Sequence, residues 1–311
     1  MANQKPKKAA KKPSTKPSET KKEVVAPVTS RDVCPCEGEA SLKGFFARKC
    51  DKDENVLTIF KTKKIWGALL GELIGTMLLV MVLLTIGLQP LWIVFAVTGI
   101  YIAVVGLSGA NLNPVITVGM MATRRMSAIR GVLYILAQVL GAWLALIIIN
   151  SFRLGSGTAY ELPMMTEVDG EIFWPFALVE LLGAVILAFF FARTLRYSRK
   201  SPMTFAFAMA SGLTLATILG TVIAQNYFDF AGTTFIFNPA AALMYQIIPT
   251  SANGFGELAA LAGMALAAFV ALPMVGGVLG FWISDVTTKL SAGGYVCDDC
   301  CDKCCNKGVK A

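Results

Sequence analysis

Six stretches of this chain leave it very little choice of fold. Near Ile65–Gly87, Leu91–Leu107, Gly131–Ser151, Trp174–Ala192, Met203–Ala224 and Leu258–Ile283 the residues stay apolar for close to the roughly 20 positions a helix needs to cross a bilayer. None of the six contains Lys or Arg, and the acids within them are Glu72 and Glu180. In hydrocarbon every backbone N–H and C=O must find its partner inside the protein, so such stretches insert as helices or not at all. The expectation is an all-α membrane protein with six transmembrane helices.

The charges fix which way it crosses. Residues 1–64 hold 16 of the 28 Lys+Arg and 8 of the 20 Asp+Glu, so the net charge of +8 belongs to this tail. Because that surplus adjoins apolar spans, anionic lipid headgroups are the expected partner, and no nucleic acid is. Arg124, Arg125 and Arg130 follow the second span; Arg193, Arg196, Arg199 and Lys200 follow the fourth. The loops on the other side carry Arg153 alone, while the third holds Glu161, Glu167, Asp169 and Glu171. With both tails added, 27 of the 28 basic residues lie on one face, which the positive-inside rule makes cytoplasmic. A multi-pass protein with both termini cytoplasmic follows. No cleavable signal peptide is expected, because the first apolar run begins only after Lys64.

Three regions are expected: a disordered basic tail over 1–64 containing Cys34, Cys36 and Cys50, a membrane domain over 65–286, and a Cys-rich tail over 287–311. The second tail carries Cys297, Cys300, Cys301, Cys304 and Cys305. On the cytoplasmic side these eight thiols stay reduced. Their spacing suits a soft or borderline metal such as Zn²⁺ or Cu⁺, and cysteines beside basic residues next to a membrane equally suit S-palmitoylation. No cofactor is required by anything in the spans. The chain contains no His, which removes the commonest general base and metal ligand and points away from an enzyme.

The membrane domain repeats itself. Glu72-Leu-Ile-Gly75 in the first span is matched by Glu180-Leu-Leu-Gly183 in the fourth, and Gln138-Val-Leu-Gly-Ala in the third by Pro273-Met-Val-Gly-Gly in the sixth. The repeats are 65–151 and 174–286. Three spans each make the halves enter the membrane in opposite directions, an inverted 3+3 repeat. After the second span of each half stands an Asn-Pro pair: Ser108-Gly-Ala-Asn-Leu-Asn113-Pro114-Val115 and Phe237-Asn238-Pro239-Ala240-Ala241. Asn is a strong N-cap and Pro suits the first helical position. Val115–Ala122 and Ala240–Ile248 are too short to span, so two re-entrant half-helices are predicted. Entering from opposite faces, they would meet N-terminus to N-terminus, each with a partial charge of roughly +0.5.

In these motifs and their order the chain resembles the aquaporin/aquaglyceroporin (major intrinsic protein) family over about Ile65–Val286. The resemblance implies an aquaporin-like fold and a homotetramer with one pore per subunit. It implies a pore centre at Asn113, Pro114, Val115, Asn238, Pro239 and Ala240. It also implies that Glu72 and Glu180 are buried acids holding the re-entrant loops through backbone amides. The family's selectivity-filter positions fall at Ile93, Ile218 (or Leu219), Phe235 and Ala241.

Two departures qualify it. Val115 replaces the usual Ala, and its extra methyls are expected to shift the packing where the half-helices abut. Ala241 replaces the usual Arg, and no basic residue lies anywhere from Met203 to Glu257. An apolar, uncharged filter is therefore expected, in an unorthodox member of the family. The expected function is a passive channel for water and small uncharged solutes such as glycerol, urea or ammonia. Beside it stand a non-conducting or metal-regulated membrane structural protein, which Val115, Phe235 and the tails allow, and a proton-coupled secondary transporter.

Overall fold

The computed structural model describes residues 60, 63–86, 89–156, 170–227, 235, 237–245 and 263–292. Among them six helices are long and apolar enough to cross a membrane: Lys64–Thr85, Pro90–Ser108, Ala128–Phe152, Trp174–Thr194, Pro202–Ile223 and Gly263–Leu290. Large apolar side chains such as Leu70, Phe95, Leu136, Leu178 and Phe207 point outward from these helices, as lipid contact permits. Trp66, Trp92 and Trp174 stand exposed at span ends, where an indole can reach the headgroup layer.

Local chemistry sets several boundaries. The second span begins at Pro90, placed at the first helical position after an extended Gln89, and ends where Gly109 turns left-handed with φ +88°. Its N–H closes the last turn on the Val105 carbonyl at 3.1 Å. In the sixth span Pro273 has no N–H to give. The backbone just before it widens into a π-turn over Ala267–Ala271, with the Leu272 N–H bonded to the Ala267 carbonyl.

The last span differs from expectation. Its helix continues to Ala292, past the Ile283 predicted from hydropathy and past the expected domain limit at 286. Several polar residues there bond within the protein. Thr287 and Thr288 donate back to Ile283 and Ser284 carbonyls at 2.9 and 2.8 Å, and Asp285 pairs with Arg125. Residues 258–262, predicted to begin this span, lie outside the described residues, as do the third-loop acids Glu161, Glu167 and Asp169 and all eight cysteines.

Packing follows the inverted repeat. The first span packs against the second and third, and the fourth against the fifth and sixth. Glycines set these contacts in matching places. A Cβ on Gly141 of the third span would strike the Leu73 carbonyl, and one on Gly276 of the sixth would sit 2.6 Å from the Leu181 carbonyl. Leu73 and Leu181 each follow the intramembrane Glu of their half. The halves are joined where the second span packs on the fifth, and through two short helices, Pro114–Ala122 and Pro239–Tyr245.

Candidate functional site

Both short helices begin as the sequence predicts. Asn113 is extended, with φ −156° and ψ 129°, and its side-chain oxygen accepts the Val115 N–H at 2.9 Å. The Asn238 side chain accepts the Ala240 N–H in the same way at 3.1 Å. Each cap satisfies one of the orphan donors at a helix start. The amide nitrogens then reach across the molecule. Asn113 Nδ2 donates to the Phe237 carbonyl at 2.7 Å, and Asn238 Nδ2 donates to the Leu112 carbonyl at 3.2 Å. The two Asn-Pro motifs therefore meet, each tied to the residue preceding the other's Asn. All of Asn113, Pro114, Val115, Asn238, Pro239 and Ala240 are buried.

These cross-bonds depend on an unusual backbone. Leu112 and Phe237 have φ of 53° and 50°, a left-handed region that costs a side-chain-bearing residue about 1–2 kcal/mol. Two further contacts hold each residue there. Leu112 N donates to Glu72 Oε2 at 2.7 Å, and Phe237 N donates to Glu180 Oε2 at 3.1 Å. The side chains are received by Gly75 and Gly183, where an added Cβ would collide with Leu112 and with the Phe237 ring. Glu-x-x-Gly is thus one device used twice: the acid takes the N–H, and the glycine one turn on makes room for the side chain.

Glu72 accepts two more bonds, from Asn111 N at 3.0 Å and from Gln138 Nε2 at 2.8 Å. Placing an acid in a span costs roughly 2.5–3.5 kcal/mol. Hydrogen bonds of about 1–3 kcal/mol each, made three times over, are enough to offset that. Gln138 also donates to Thr117 Oγ1 at 2.9 Å, and that hydroxyl donates to the Asn113 carbonyl at 3.1 Å while accepting from Asn111 Nδ2 at 3.3 Å. The third span is thereby linked to the first half-helix. Gln138 was legible in the sequence as half of a repeat, but its repeat partner is Pro273, which has no side-chain donor, so the repeat gave no hint of this role.

Val115 Cγ1 lies where a Cβ on Gly277 would approach to 2.9 Å, and Gly119 faces the Gly277 carbonyl in the same contact. Val115 thus packs against the sixth span at a residue with no side chain to displace.

The four filter positions are treated unequally. Ile93, Phe235 and Ala241 are buried, at 1%, 2% and 1% exposure. The Phe235 ring is pinned, stacked on Phe176 with centroids 4.7 Å apart and on Phe237 at 6.1 Å, with Phe269 edge-on to Phe176 at 5.0 Å. Ile218 is 41% exposed and Leu219 37% on the fifth span, unlike the other three positions. The inward side of this span is formed by Leu213, Thr214, Ala216, Thr217 and Gly220. Ile218 lines a cavity of about 120 Å³ together with Ile93, Thr214, Thr217 and Thr221. The lining of this cavity carries hydroxyls beside its apolar groups. Thr214 and Thr217 donate to the carbonyls one turn back, each at 2.9 Å. The buried oxygens of Thr76, Thr98 and Thr221, and Gln138 Oε1, have no hydrogen-bond partner among the described residues.

On the face of the basic loops, Arg125 pairs with Asp285 at 2.7 Å, both side chains more than nine-tenths buried. Its guanidinium also lies 5.4 Å from the Phe281 ring centroid. The pair fastens the end of the first half-helix to the sixth span.

Residues 59–284 match the profile of the family described as Major intrinsic protein. The chain belongs to that family. As a major intrinsic protein it is 28% identical over 180 residues to "Aquaporin PIP2-5" of Oryza sativa subsp. japonica, covering 49% of this chain and 64% of that one. It is 30% identical over 196 residues to "Probable aquaporin PIP-type 7a" of Pisum sativum, covering 53% of this chain and 67% of that one. The matches thus span about two thirds of those relatives. The fold of the aquaglyceroporin from Plasmodium falciparum superposes with a TM-score of 0.54 at 19% identity, over 74% of this chain and 99% of that one. Six spans, two half-helices and inverted repeats make this the aquaporin fold, in an integral, multi-pass membrane protein.

Proposed function

We propose that this major intrinsic protein is a passive channel for water and small uncharged solutes, glycerol-like molecules, urea or ammonia among them. The observation that carries the reading is the reciprocal pair of bonds between Asn113 and the Phe237 carbonyl and between Asn238 and the Leu112 carbonyl. An amide nitrogen has two N–H groups. One from each Asn is spent in that pair, and the other is offered to a passing oxygen. Two helix starts opposed at this point oppose cations by their partial positive charge. The left-handed turns at Leu112 and Phe237 hold the loops short of helix, so that carbonyls can line a path through the membrane.

Ala241 brings no charge to the second half-helix, and Ile93 and the pinned Phe235 add none. The hydroxyls of Thr214, Thr217 and Thr221 beside Ile93 suit a solute that carries both hydroxyl and CH groups. A hydrocarbon wall with a few polar groups favours such molecules over ions. Buried oxygens without a partner among the described residues, as at Thr98 and Thr221, are what a passage carrying polar molecules would present. The homotetramer and the cytoplasmic placement of both termini belong to the same proposal. They are supported by family membership and by the basic residues gathered on one face.

Stopped-flow permeabilities of liposomes holding the full chain, for water, glycerol, urea and ammonia, test it. Glycerol or urea flux well above that of empty liposomes, linear in gradient, is the expected result. Water passage with both solutes excluded would refute the solute reading, and saturable flux following a proton gradient would replace the channel with a transporter.

A further inference from the structure

A second cavity opens on the face of the basic loops. It measures about 780 Å³, within the roughly 300–1,000 Å³ of typical ligand clefts. Four segments wall it: the start of the first span at Lys64, Ile65 and Ala68, the end of the second at Val105–Gly109, the start of the third at Arg130 and Tyr134, and the turn at Ser198, Arg199 and Pro202. Three cations face it and no carboxylate is among its described lining residues. Lys64 and Arg199 are exposed, and Arg130 is half-buried.

The cavity is built as well as charged. Tyr134 is buried, and its hydroxyl donates to the Ser108 carbonyl at 3.0 Å, while Ser108 Oγ accepts the Ala110 N–H at 2.9 Å. One wall is therefore the fixed beginning of the first re-entrant loop. Another is apolar: Ile65, Ala68, Val105 and Leu107, of which Leu107 stands exposed on the outer surface. A charged recess that runs out onto lipid-facing hydrocarbon fits a molecule with an anionic head and an apolar tail better than a free anion. Arg and Lys together match phosphate oxygens, and basic pockets between helices at a membrane face hold phosphorylated headgroups.

We propose that this cavity binds the headgroup of an anionic phospholipid, with its phosphates between Lys64 and Arg199 and its acyl chain along Leu107. The site is independent of what the pore conducts, so failure of one reading leaves the other standing.

The test is native mass spectrometry of the purified full chain in neutral detergent, at raised salt where loose attraction to an exposed basic tail is screened. The probes are short-chain phosphatidylinositol bisphosphate, short-chain phosphatidylcholine and inositol trisphosphate. Wild type is expected to prefer the phosphoinositide. The double variant Lys64→Gln/Arg199→Gln is expected to lose about 30-fold in affinity, as two lost charges imply. Arg124→Gln, at an exposed cation outside the cavity, is expected to leave it unchanged. Arg199→Glu, a single change on the exposed turn, provides the same reading should the double variant fold poorly. Undiminished binding in the double variant and in Arg199→Glu would assign the lipid to the tail and overturn the proposal. So would equal affinity for phosphatidylcholine. Inositol trisphosphate binding as tightly as the lipid would assign the cavity to a soluble anion and overturn the lipid reading.

Discussion

Leu112 and Phe237, 125 positions apart in the chain, share one conformation and one set of partners. Each stands before an Asn with φ near 50°, gives its N–H to an intramembrane Glu, and gives its carbonyl to the Asn of the opposite half. Neither Leu nor Phe favours that backbone by itself. It is imposed by what surrounds it, and the surroundings can be taken apart one residue at a time.

Removing the acceptor is the most direct way. Glu72→Ala strands the N–H groups of Asn111 and Leu112 in the interior, at about 1–3 kcal/mol each. Thermal unfolding in detergent should show a loss of this size, with flux through the protein lost along with it. Glu72→Gln keeps one acceptor oxygen and should fall between the two. Unaltered stability in Glu72→Ala would mean the loop is held by other contacts.

The glycine beside each acid offers a compensating pair. Gly183→Ala drives a Cβ into the Phe237 ring, and overpacking of this kind costs about 1–3 kcal/mol. Adding Phe237→Leu should restore much of the stability, since the ring is what the new methyl meets. The double variant proving less stable than Gly183→Ala alone would place the conflict elsewhere.

At the crossing of the two halves, Asn238→Ala and Asn238→Asp separate cap from cross-bond. Ala loses the cap, worth about 0.5–2 kcal/mol, together with the bond to Leu112. Asp keeps an oxygen for the Ala240 N–H but turns another toward the Leu112 carbonyl, 3.2 Å from the present nitrogen. Asp should therefore lose water flux at least as fully as Ala even though it retains the cap. Liposome swelling measures both.

What the sequence made legible is what depends on residue type and spacing. Asn-Pro specifies a helix start, and an acid in hydrocarbon demands a partner, so the half-helices and the roles drawn for Glu72 and Glu180 could be read without coordinates. The inward face of the fifth span could not be read from hydropathy. Ile218 and Leu219 are exposed while Leu213 and Ala216 are buried, and lipid is as apolar as a protein core. The row Thr214, Thr217, Thr221 at helical spacing was the signal that went unused. The seat of Val115 on Gly277 and the pairing of Arg125 with Asp285 join residues about 160 positions apart, beyond the reach of any local pattern.

That ion pair yields its own prediction. Breaking a buried pair by removing one partner costs about 3–5 kcal/mol, whereas removing both can be nearly neutral. Arg125→Met and Asp285→Leu should each be strongly destabilising, and the double variant less so than either, as read by unfolding in detergent. Simple additivity would show that the two charges are not coupled.

For permeation, Ala241→Arg introduces a cation in the first turn of the second half-helix. Glycerol and urea flux should fall by about tenfold or more while water flux persists, because the long guanidinium side chain narrows the wall below the width of these solutes. Equal solute flux in both proteins would show that this position does not face the path.

The first half-helix rests on Gly277, near the far end of the chain, and the second rests on the third span. Each dipping segment is therefore braced by both halves of the chain. A nascent chain halted before the sixth span would hold Asn113 and its loop at mid-membrane with Glu72 and Gln138 in place but without the seat on Gly277. Biogenesis must therefore leave this segment waiting while the remaining spans are made. Stop mutations late in the reading frame should then yield chains that are inserted but degraded, rather than half-working ones.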